Sequence, residues 1–128
     1  MKKLFISCPM KGRTEENIRK SMEQMHKIAE IYFDQKLEVI PTYIEDNPPE
    51  NSNQAVWYLG RAIQLMADAD YFIGIEHSGF FKGCNIEDDV ARCYGIRSIR
   101  VNTYELMPDA NEVEREYWNS GKTCTAIC

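Results

Sequence analysis

The sequence lacks any run of basic residues, and its overall charge is acidic. Its 128 residues carry 15 Lys and Arg against 20 Asp and Glu, which gives a net charge of −5. Because an acidic surface without a basic patch repels a phosphate backbone, we do not expect a nucleic-acid polymer as a partner. A single nucleotide is compatible with this charge, since a few local hydrogen-bond donors are enough to hold one phosphate.

Long apolar runs are also missing. Each apolar segment is much shorter than the roughly 20 residues that a membrane-spanning helix needs. The run that follows Met1-Lys2-Lys3 is too short for a signal peptide, so we expect none. We therefore expect no membrane partner.

The five cysteines include no C-x-x-C pair, and their number is odd. This pattern disfavours both a zinc site and a secreted disulfide framework. We therefore expect a protein of the reducing cytoplasm that holds no metal and no cofactor.

The composition that is present is that of one ordinary globular domain. Hydrophobic residues make up 44% of the chain and charged residues 27%, which is enough apolar surface for a single core. We expect one domain over residues 1–128, with its core at about residues 3–118. The tail at residues 119–128 is interpreted either as a fifth strand or as an arm on a neighbouring subunit.

Short strand-like runs alternate along the chain with segments of helical periodicity. This alternation predicts a parallel sheet with helices on both faces. Right-handed crossovers make a flavodoxin-like order the simplest closure, so we predict a flavodoxin-like three-layer α/β sandwich with four or five parallel strands. The predicted strands cover residues 4–7, 37–40, 71–75 and 96–101, and three of the predicted helices cover about residues 15–33, 55–67 and 110–117. Another predicted helix, the third in chain order, follows the loop at residues 76–83, carries Glu87 in its first turn and ends before Gly95.

The spacing of apolar residues also predicts which side of each helix faces the core. Thr14 is the expected N-cap of the first helix, and His26 falls off the apolar side of that helix, where we expect a surface histidine. Gly95 suits the left-handed position just past the third helix. The predicted core-facing residues are Ile18, Met22, Met25, Ile28, Ala29 and Tyr32 in the first helix, Val56, Leu59, Ile63 and Met66 in the second, and Ile86, Val90, Cys93 and Tyr94 in the third.

The flavodoxin-like order makes the first and third strands neighbours at the point where the winding reverses. Ligands of open α/β sheets bind in this crevice, beyond the carboxyl ends of the strands. The loop after the first strand (residues 7–13) and the loop after the third (residues 76–83) should therefore face each other. Glu87 follows the second loop, in the predicted first turn of the third helix and beside its buried side.

Both loops carry groups that suit an anion. The backbone amides of residues 11–13, with the two cationic side chains among them, could hold a phosphate. Ser78, Gly79 and the amides that precede Asn85 offer a second site for an anion or a hydroxyl group.

Glu87 allows two interpretations. A carboxylate beside the anomeric carbon of a sugar can act as a nucleophile, forming a covalent glycosyl intermediate that water or a second acceptor resolves. Alternatively, Glu87, Asp88 and Asp89 only stabilise the dipole of their helix, by about 0.3–1 kcal/mol each.

Three segments resemble motifs of one enzyme family. G-C-x-x-E-x-x-x-A-x-x-Y-G, which begins at Gly83, resembles the G-x-x-x-E-x-x-x-A signature of the nucleoside 2-deoxyribosyltransferases, and the deoxynucleotide N-glycosidases carry a similar one. The opening F-I-S-C-P-M-K-G-R resembles the first strand and the phosphate- or sugar-binding loop of these enzymes. The step Ala69-Asp70-Tyr71-Phe72-Ile73 resembles their third strand. The likeness covers about residues 3–102 and is greatest to small bacterial and phage relatives.

The resemblance implies cleavage or transfer at the N-glycosidic bond of a nucleoside or nucleotide. Glu87 falls on the position of the family's nucleophile, and a homodimer or larger homo-oligomer is implied. The loops and the resemblance together predict the following substrate-binding residues: Ser7, Cys8, Met10, Lys11, Gly12, Arg13, Tyr43, His77, Ser78, Gly79, Gly83, Asn85 and Asn102.

The sequence departs from the family pattern at three places. Leu4 stands where family enzymes usually have a tyrosine near the nucleophile, and Phe81 stands where a polar residue is usual. No acid occurs near Ala62, where a second carboxylate is expected. The nearest candidates to protonate the leaving base are Glu45, Asp46, Glu76 and His77.

These departures keep a second class of protein open. The same pocket could bind a nucleotide or a nucleotide-derived signal without turning it over, as a sensor or sequestering protein, for example one encoded by a phage. Phe80 and Phe81 could stack on a base in either class. They could equally lie in the core or in a dimer interface.

Overall fold

The computed structural model describes residues 1–42, 46–76 and 81–107 of the chain. The predicted helix at residues 110–117 and the tail at residues 119–128 lie outside the described residues. None of the helices in the described ranges is long and apolar enough to cross a bilayer. The elements are β1 (Lys2–Ile6), α1 (Glu15–Phe33), β2 (Leu37–Val39), α2 (Gln54–Met66), β3 (Tyr71–Ile75), α3 (Lys82–Cys93), β4 (Arg97–Val101) and α4 (Thr103–Leu106).

The four strands form one parallel sheet in the order β2-β1-β3-β4. β1 pairs with β2, where Leu4 lies opposite Val39, and on its other side with β3, where Ile6 lies opposite Ile73. The strands added after β2 therefore extend the sheet in the opposite direction from β1. This order confirms the predicted α/β fold of flavodoxin-like type, and it places the carboxyl ends of β1 and β3 side by side.

The central strands are apolar on both faces, as parallel strands covered on both sides are expected to be. Leu4 and Ile6 pack in one cluster with Met25 of α1. Phe5 packs in a second cluster with Phe72 of β3, together with residues of α2 and α3, and the two rings stack with their centroids 5.9 Å apart. The alternation along β1 thus sends successive side chains to two different groups of helices.

Thr14 is the N-cap of α1, as predicted. Its hydroxyl oxygen accepts a hydrogen bond of 3.1 Å from the backbone amide of Asn17, which satisfies one of the unpaired donors of the first turn. Gly95, just past α3, has a φ of 72°, the left-handed conformation predicted for it.

Several predictions of core-facing residues are wrong at the helix ends. Tyr32 is exposed because its neighbour Phe33 packs inward instead, stacked on Tyr71 with a centroid distance of 4.1 Å. Tyr94 is 82% exposed, since α3 ends at Cys93 and the helical periodicity stops there. Exposed residues that were predicted to face the core are Tyr32, Val56, Cys93 and Tyr94.

His26, predicted as a surface histidine, keeps 34% of its side chain exposed to solvent. It is half-buried, and its Nε2 lies 3.0 Å from the carbonyl oxygen of Leu37. Because Leu37 opens β2, this contact joins α1 to the start of the next strand.

Candidate functional site

Ser7 and Glu87 meet at the carboxyl ends of β1 and β3. The Ser7 hydroxyl donates a hydrogen bond of 2.6 Å to Oε1 of Glu87. The backbone amide of Ser7 donates to the carbonyl oxygen of Ile73 at 2.9 Å, which continues the pairing of β1 with β3 by one residue. Ser7 is only 2% exposed, so its side chain is fixed between the sheet and α3.

Glu87 lies in the second turn of α3, because the helix begins at Lys82 with Phe81 as its N-cap. The prediction that Glu87, Asp88 and Asp89 occupy the first turn is therefore wrong. Since the helix dipole acts within the first turn, it does not account for these acids.

Cys84, Glu87 and Ala91 share one side of α3 at spacings of three and four residues, and the first and last of them are buried. This side faces the core. Of the residues predicted to face it, Val90 is half-buried and packs against the core cluster of Phe5 and Phe72, as predicted, whereas Ile86 is half-buried and lines the cleft. Glu87 thus lies in the middle of the buried side of the helix.

The surroundings of Glu87 favour the neutral form of its carboxyl group. Burial raises the pKa of Glu87 to about 7, and the hydrogen bond from Ser7 acts against this rise. Burial also raises the pKa of the nearby Cys84 thiol, and the charge of Glu87 adds to that effect. Glu87 therefore titrates in the neutral range beside a neutral thiol, and a carboxyl group poised in this way is typical of functional sites.

Glu87 borders a cleft of about 1070 Å³. Residues 8–11 of the loop after β1 form one side, and residues 81–84 with Ile86 form another. The exposed side of α2 completes it. This volume is sufficient for a small organic ligand. The residues that α2 contributes are mostly apolar: Ala55, Val56, Tyr58, Leu59 and Ala62.

Arg13 holds the loop after β1 in shape. Its guanidinium group donates to the carbonyl oxygen of Pro9 at 2.9 Å and to the Ser21 hydroxyl oxygen at 2.7 Å. Gly12 has a φ of 75°, which favours glycine. Of the predicted phosphate-binding residues in this loop, Lys11 lines the cleft, whereas Gly12 and Arg13 are not among the described residues that line it.

The start of α3 brings hydrogen-bond donors to the cleft. Lys82, Gly83 and Cys84 all line it, and the first amides of a helix have no partner within the helix. Phe81 provides no side-chain cap for them. Lys11 faces the same space from the loop after β1, so this end of the cleft suits an anionic group.

Phe81 belongs both to the core and to the cleft. It is buried within the cluster that contains Leu4 and Ile6, and it lines the cleft as well. The two interpretations of this aromatic residue as core and as ligand contact are therefore compatible.

Besides Ser7, Gly12 and Arg13, two further predicted binding residues of the described chain, Asn85 and Asn102, are not among the residues that line the cleft. Asn102 is exposed, and its Oδ1 accepts a hydrogen bond of 3.1 Å from the backbone amide of Glu105 at the start of α4. Asn85 is half-buried on α3 and is not among the described residues that line the cleft. The predicted residues that lie outside the described part of the chain are Tyr43, His77, Ser78, Gly79 and Phe80.

Two of the four predicted proton donors, Asp46 and Glu76, lie within the described residues. Asp46 is exposed and lies 3.1 Å from Arg61, and Glu76 is exposed at the end of β3. Among the described residues that line the cleft, Glu87 is the one carboxylic acid. Glu45 and His77 lie outside the described residues.

Ser7, predicted as a substrate-binding residue, contacts Glu87, and the sequence alone does not indicate this contact. Leu4 is fully buried in the core, and its side chain has no hydrogen-bond donor for the carboxylate. Ser7 provides that hydrogen bond instead, from a position three residues further along the chain. The signal that points to it is a hydroxyl residue directly after a central strand, next to the end of β3.

The fold and the cleft define an α/β protein of flavodoxin-like strand order with a carboxylate site at the ends of its two central strands. Comparisons with protein-family models, with curated proteins and with solved structures found no match.

Proposed function

We propose that this protein cleaves the N-glycosidic bond of a nucleoside or nucleotide, or transfers its sugar, with Glu87 as the nucleophile. The observation that carries the proposal is the placement of the carboxyl group, which Ser7 holds at the border of a mainly apolar cleft. The motif resemblance to nucleoside 2-deoxyribosyltransferases and deoxynucleotide N-glycosidases supports the same assignment. A cytoplasmic homodimer or larger homo-oligomer, which that resemblance implies, is part of the proposal.

The reaction takes two displacements. First, an oxygen of the ionised Glu87 carboxylate forms a bond to the anomeric carbon. The bond from that carbon to the base nitrogen breaks, and its electron pair leaves with the base, which takes up a proton from water. In the second displacement, water or an acceptor base attacks the same carbon and loses a proton to solvent. The ester bond to Glu87 breaks, and the carboxylate is restored.

The shape and charge of the cleft match the parts of such a substrate. The apolar side chains of α2 suit the faces of a base, and Glu87 borders the same cleft, bonded to Ser7 at the end of β1. A sugar that carries a phosphate finds Lys11, Lys82 and the first amides of α3 at the same cleft. We therefore include nucleotides among the candidate substrates.

The test is release of free base. The pure protein is incubated with deoxyribo- and ribonucleosides and with their 5′-monophosphates, and the base is separated and quantified. We expect Glu87→Gln to lower the rate by on the order of 10³-fold or more, because the amide cannot form the covalent intermediate. Asp89→Asn, which removes an exposed carboxylate two positions further along the same helix, is the matched control and should keep the wild-type rate.

A second candidate function is non-catalytic binding of a nucleotide or nucleotide-derived signal. The observation that favours it is the lack of a second carboxylic acid among the described residues that line the cleft. In the same incubations, a ligand that raises the melting temperature and is recovered unchanged supports binding alone. If no compound of the panel is cleaved and none raises the melting temperature, both functions are wrong.

A further inference from the structure

The hydrogen bond between Ser7 and Glu87 distinguishes the two oxygens of the carboxylate. Oε1 accepts from the Ser7 hydroxyl at 2.6 Å. Ser7 has little freedom to move away, because it is 2% exposed and its backbone amide is bonded to Ile73. A terminal carboxyl group otherwise rotates over a broad range, so one fixed oxygen orients the whole group.

Oε2 of Glu87 is in a different position. It accepts no hydrogen bond from the described residues. Among the side-chain nitrogen and oxygen atoms of those residues, the one that is both fully buried and without a partner is Nη2 of Arg100, so Oε2 is not fully buried. Oε2 is therefore unpaired and accessible. Since Glu87 borders the cleft, this accessible oxygen is the one that a ligand can reach.

We infer that Ser7 is the positioning residue of this site, which holds Oε1 of Glu87 in the protein and presents Oε2 to the substrate as the attacking atom. The inference rests on the proposed function. In this proposal the Ser7 hydroxyl group affects both the orientation of the Glu87 carboxylate and its ionisation. Both effects act through Glu87, and Ser7 itself touches no reacting atom.

The effect on ionisation follows from the surroundings of the carboxylate. Burial raises the pKa of Glu87, and the hydrogen bond from Ser7 lowers it by stabilising the charged form. Besides Glu87, the titratable groups that line the cleft within the described residues are Cys8 and Lys11 from the loop after β1, Tyr58 from α2, and Lys82 and Cys84 from α3.

The experiment measures the ionisation of Glu87 directly in three variants of Ser7. With ¹³C-labelled glutamate, the carboxyl resonance of Glu87 is assigned by its loss in Glu87→Gln and is then followed against pH. We expect the pKa of Glu87 to rise by about one pH unit in Ser7→Ala and by less in Ser7→Cys, whose thiol is a weaker donor. Ser7→Thr keeps a hydroxyl group and should restore the wild-type titration.

The same variants give a kinetic readout if base is released. We expect Ser7→Ala to lower kcat by about 10- to 100-fold with little change in KM, and to move the acidic limb of the pH profile upward. Ser21→Ala is the matched control, since Ser21 is also a buried serine but bonds to Arg13 instead of Glu87. It should lower stability without changing the pKa of Glu87.

The outcomes separate the two proposals. If Ser7→Ala and Ser7→Cys leave the titration of Glu87 unchanged, or if Ser21→Ala shifts it equally, Ser7 is not its positioning residue. If the titration shifts as expected but no substrate is cleaved, the positioning contact stands and the glycosidic chemistry is wrong.

Discussion

The carboxylate of Asp88 on α3 is bonded through both of its oxygens, to Arg100 on β4 and to Arg92 one turn further along the helix. Arg100 Nε donates to Oδ1 at 2.5 Å, and Arg92 Nε donates to Oδ2 at 2.8 Å. The Arg100 side chain is 17% exposed, so this pair ties α3 to the sheet from inside the fold. Because Asp88 is the neighbour of Glu87, the same contact helps to fix the helix that carries the proposed nucleophile.

Asp88→Asn should be strongly destabilising. The substitution leaves the guanidinium group of Arg100 partly buried without its counter-charge, and its Nη2 already has no partner among the described residues. We expect the free energy of unfolding in urea to fall by about 3 kcal/mol. Arg92→Ala breaks the other bond to Asp88, but Arg92 is 58% exposed, so its loss should cost less than about 1 kcal/mol. Equal losses in the two variants would show that burial does not set the strength of these pairs.

The order of the elements could be predicted from the sequence because each strand is a short apolar run between polar residues. The run Tyr71–Ile75 is bounded by Asp70 and Glu76, and β3 has those bounds in the structure. The strand order followed from the handedness of crossovers. The buried side of α3 could not be predicted, because helical spacing fits both the side through Ile86 and the side through Cys84. Packing against the sheet selects the second of these sides.

The position of Glu87 near the loop after β1 could also be predicted, but its bonding partner could not. Ser7 and Glu87 are 80 positions apart, and the strand order shows only that their regions are close. Which hydroxyl reaches the carboxylate depends on distances of a few ångströms at the end of β1. The role of Arg13 could not be predicted either, because a cationic side chain in a loop can bind an anion or a backbone carbonyl group equally well.

The stability of the protein should depend on pH through Glu87. Burial raises its pKa to about 7 in the folded state, from an ordinary value of 4.5. The folded state therefore binds this proton more tightly than the unfolded state. The part of the free energy of unfolding that comes from this proton is fully present below pH 4.5. It is lost as the pH rises through about 7, by about 3 kcal/mol in all.

Glu87→Gln removes this titration and isolates it. We expect the free energy of unfolding of the variant, relative to wild type, to rise from pH 4.5 to pH 8 by about 3 kcal/mol. Urea unfolding at several pH values measures the difference. Asp89→Asn is the control, since that carboxylate is exposed and its removal should give a nearly constant difference. A constant difference for Glu87→Gln as well would mean that its carboxyl group is not buried in the folded state.

Two glycines should respond to alanine with opposite signs. A Cβ added at Gly60, inside α2, meets no atom within 4 Å, so Gly60→Ala should stabilise the helix by about 0.5–1 kcal/mol. A Cβ added at Gly74, on β3, would lie 2.8 Å from Cε1 of Phe72. Phe72 is fully buried and stacked on Phe5, so Gly74→Ala should cost about 1–3 kcal/mol. Thermal unfolding of the two variants checks both signs, and stabilisation by Gly74→Ala would show that the ring of Phe72 moves aside freely.

Arg13→Lys tests whether this residue shapes the loop or binds an anion. The guanidinium group reaches the Pro9 carbonyl and the Ser21 hydroxyl together, which the single ammonium group of lysine cannot do with the same geometry. We therefore expect Arg13→Lys to lower the free energy of unfolding by about 1–3 kcal/mol and to weaken the binding of nucleosides and nucleotides alike.

Lys11→Ala, at an exposed residue of the cleft, is the comparison variant. It should change the free energy of unfolding by no more than about 0.5 kcal/mol and weaken the binding of nucleotides selectively. Binding isotherms for a nucleoside and its 5′-monophosphate, measured beside urea unfolding, separate the two roles. Selective loss of the monophosphate in Arg13→Lys with unchanged stability would return Arg13 to the anion-binding role that its sequence position suggests.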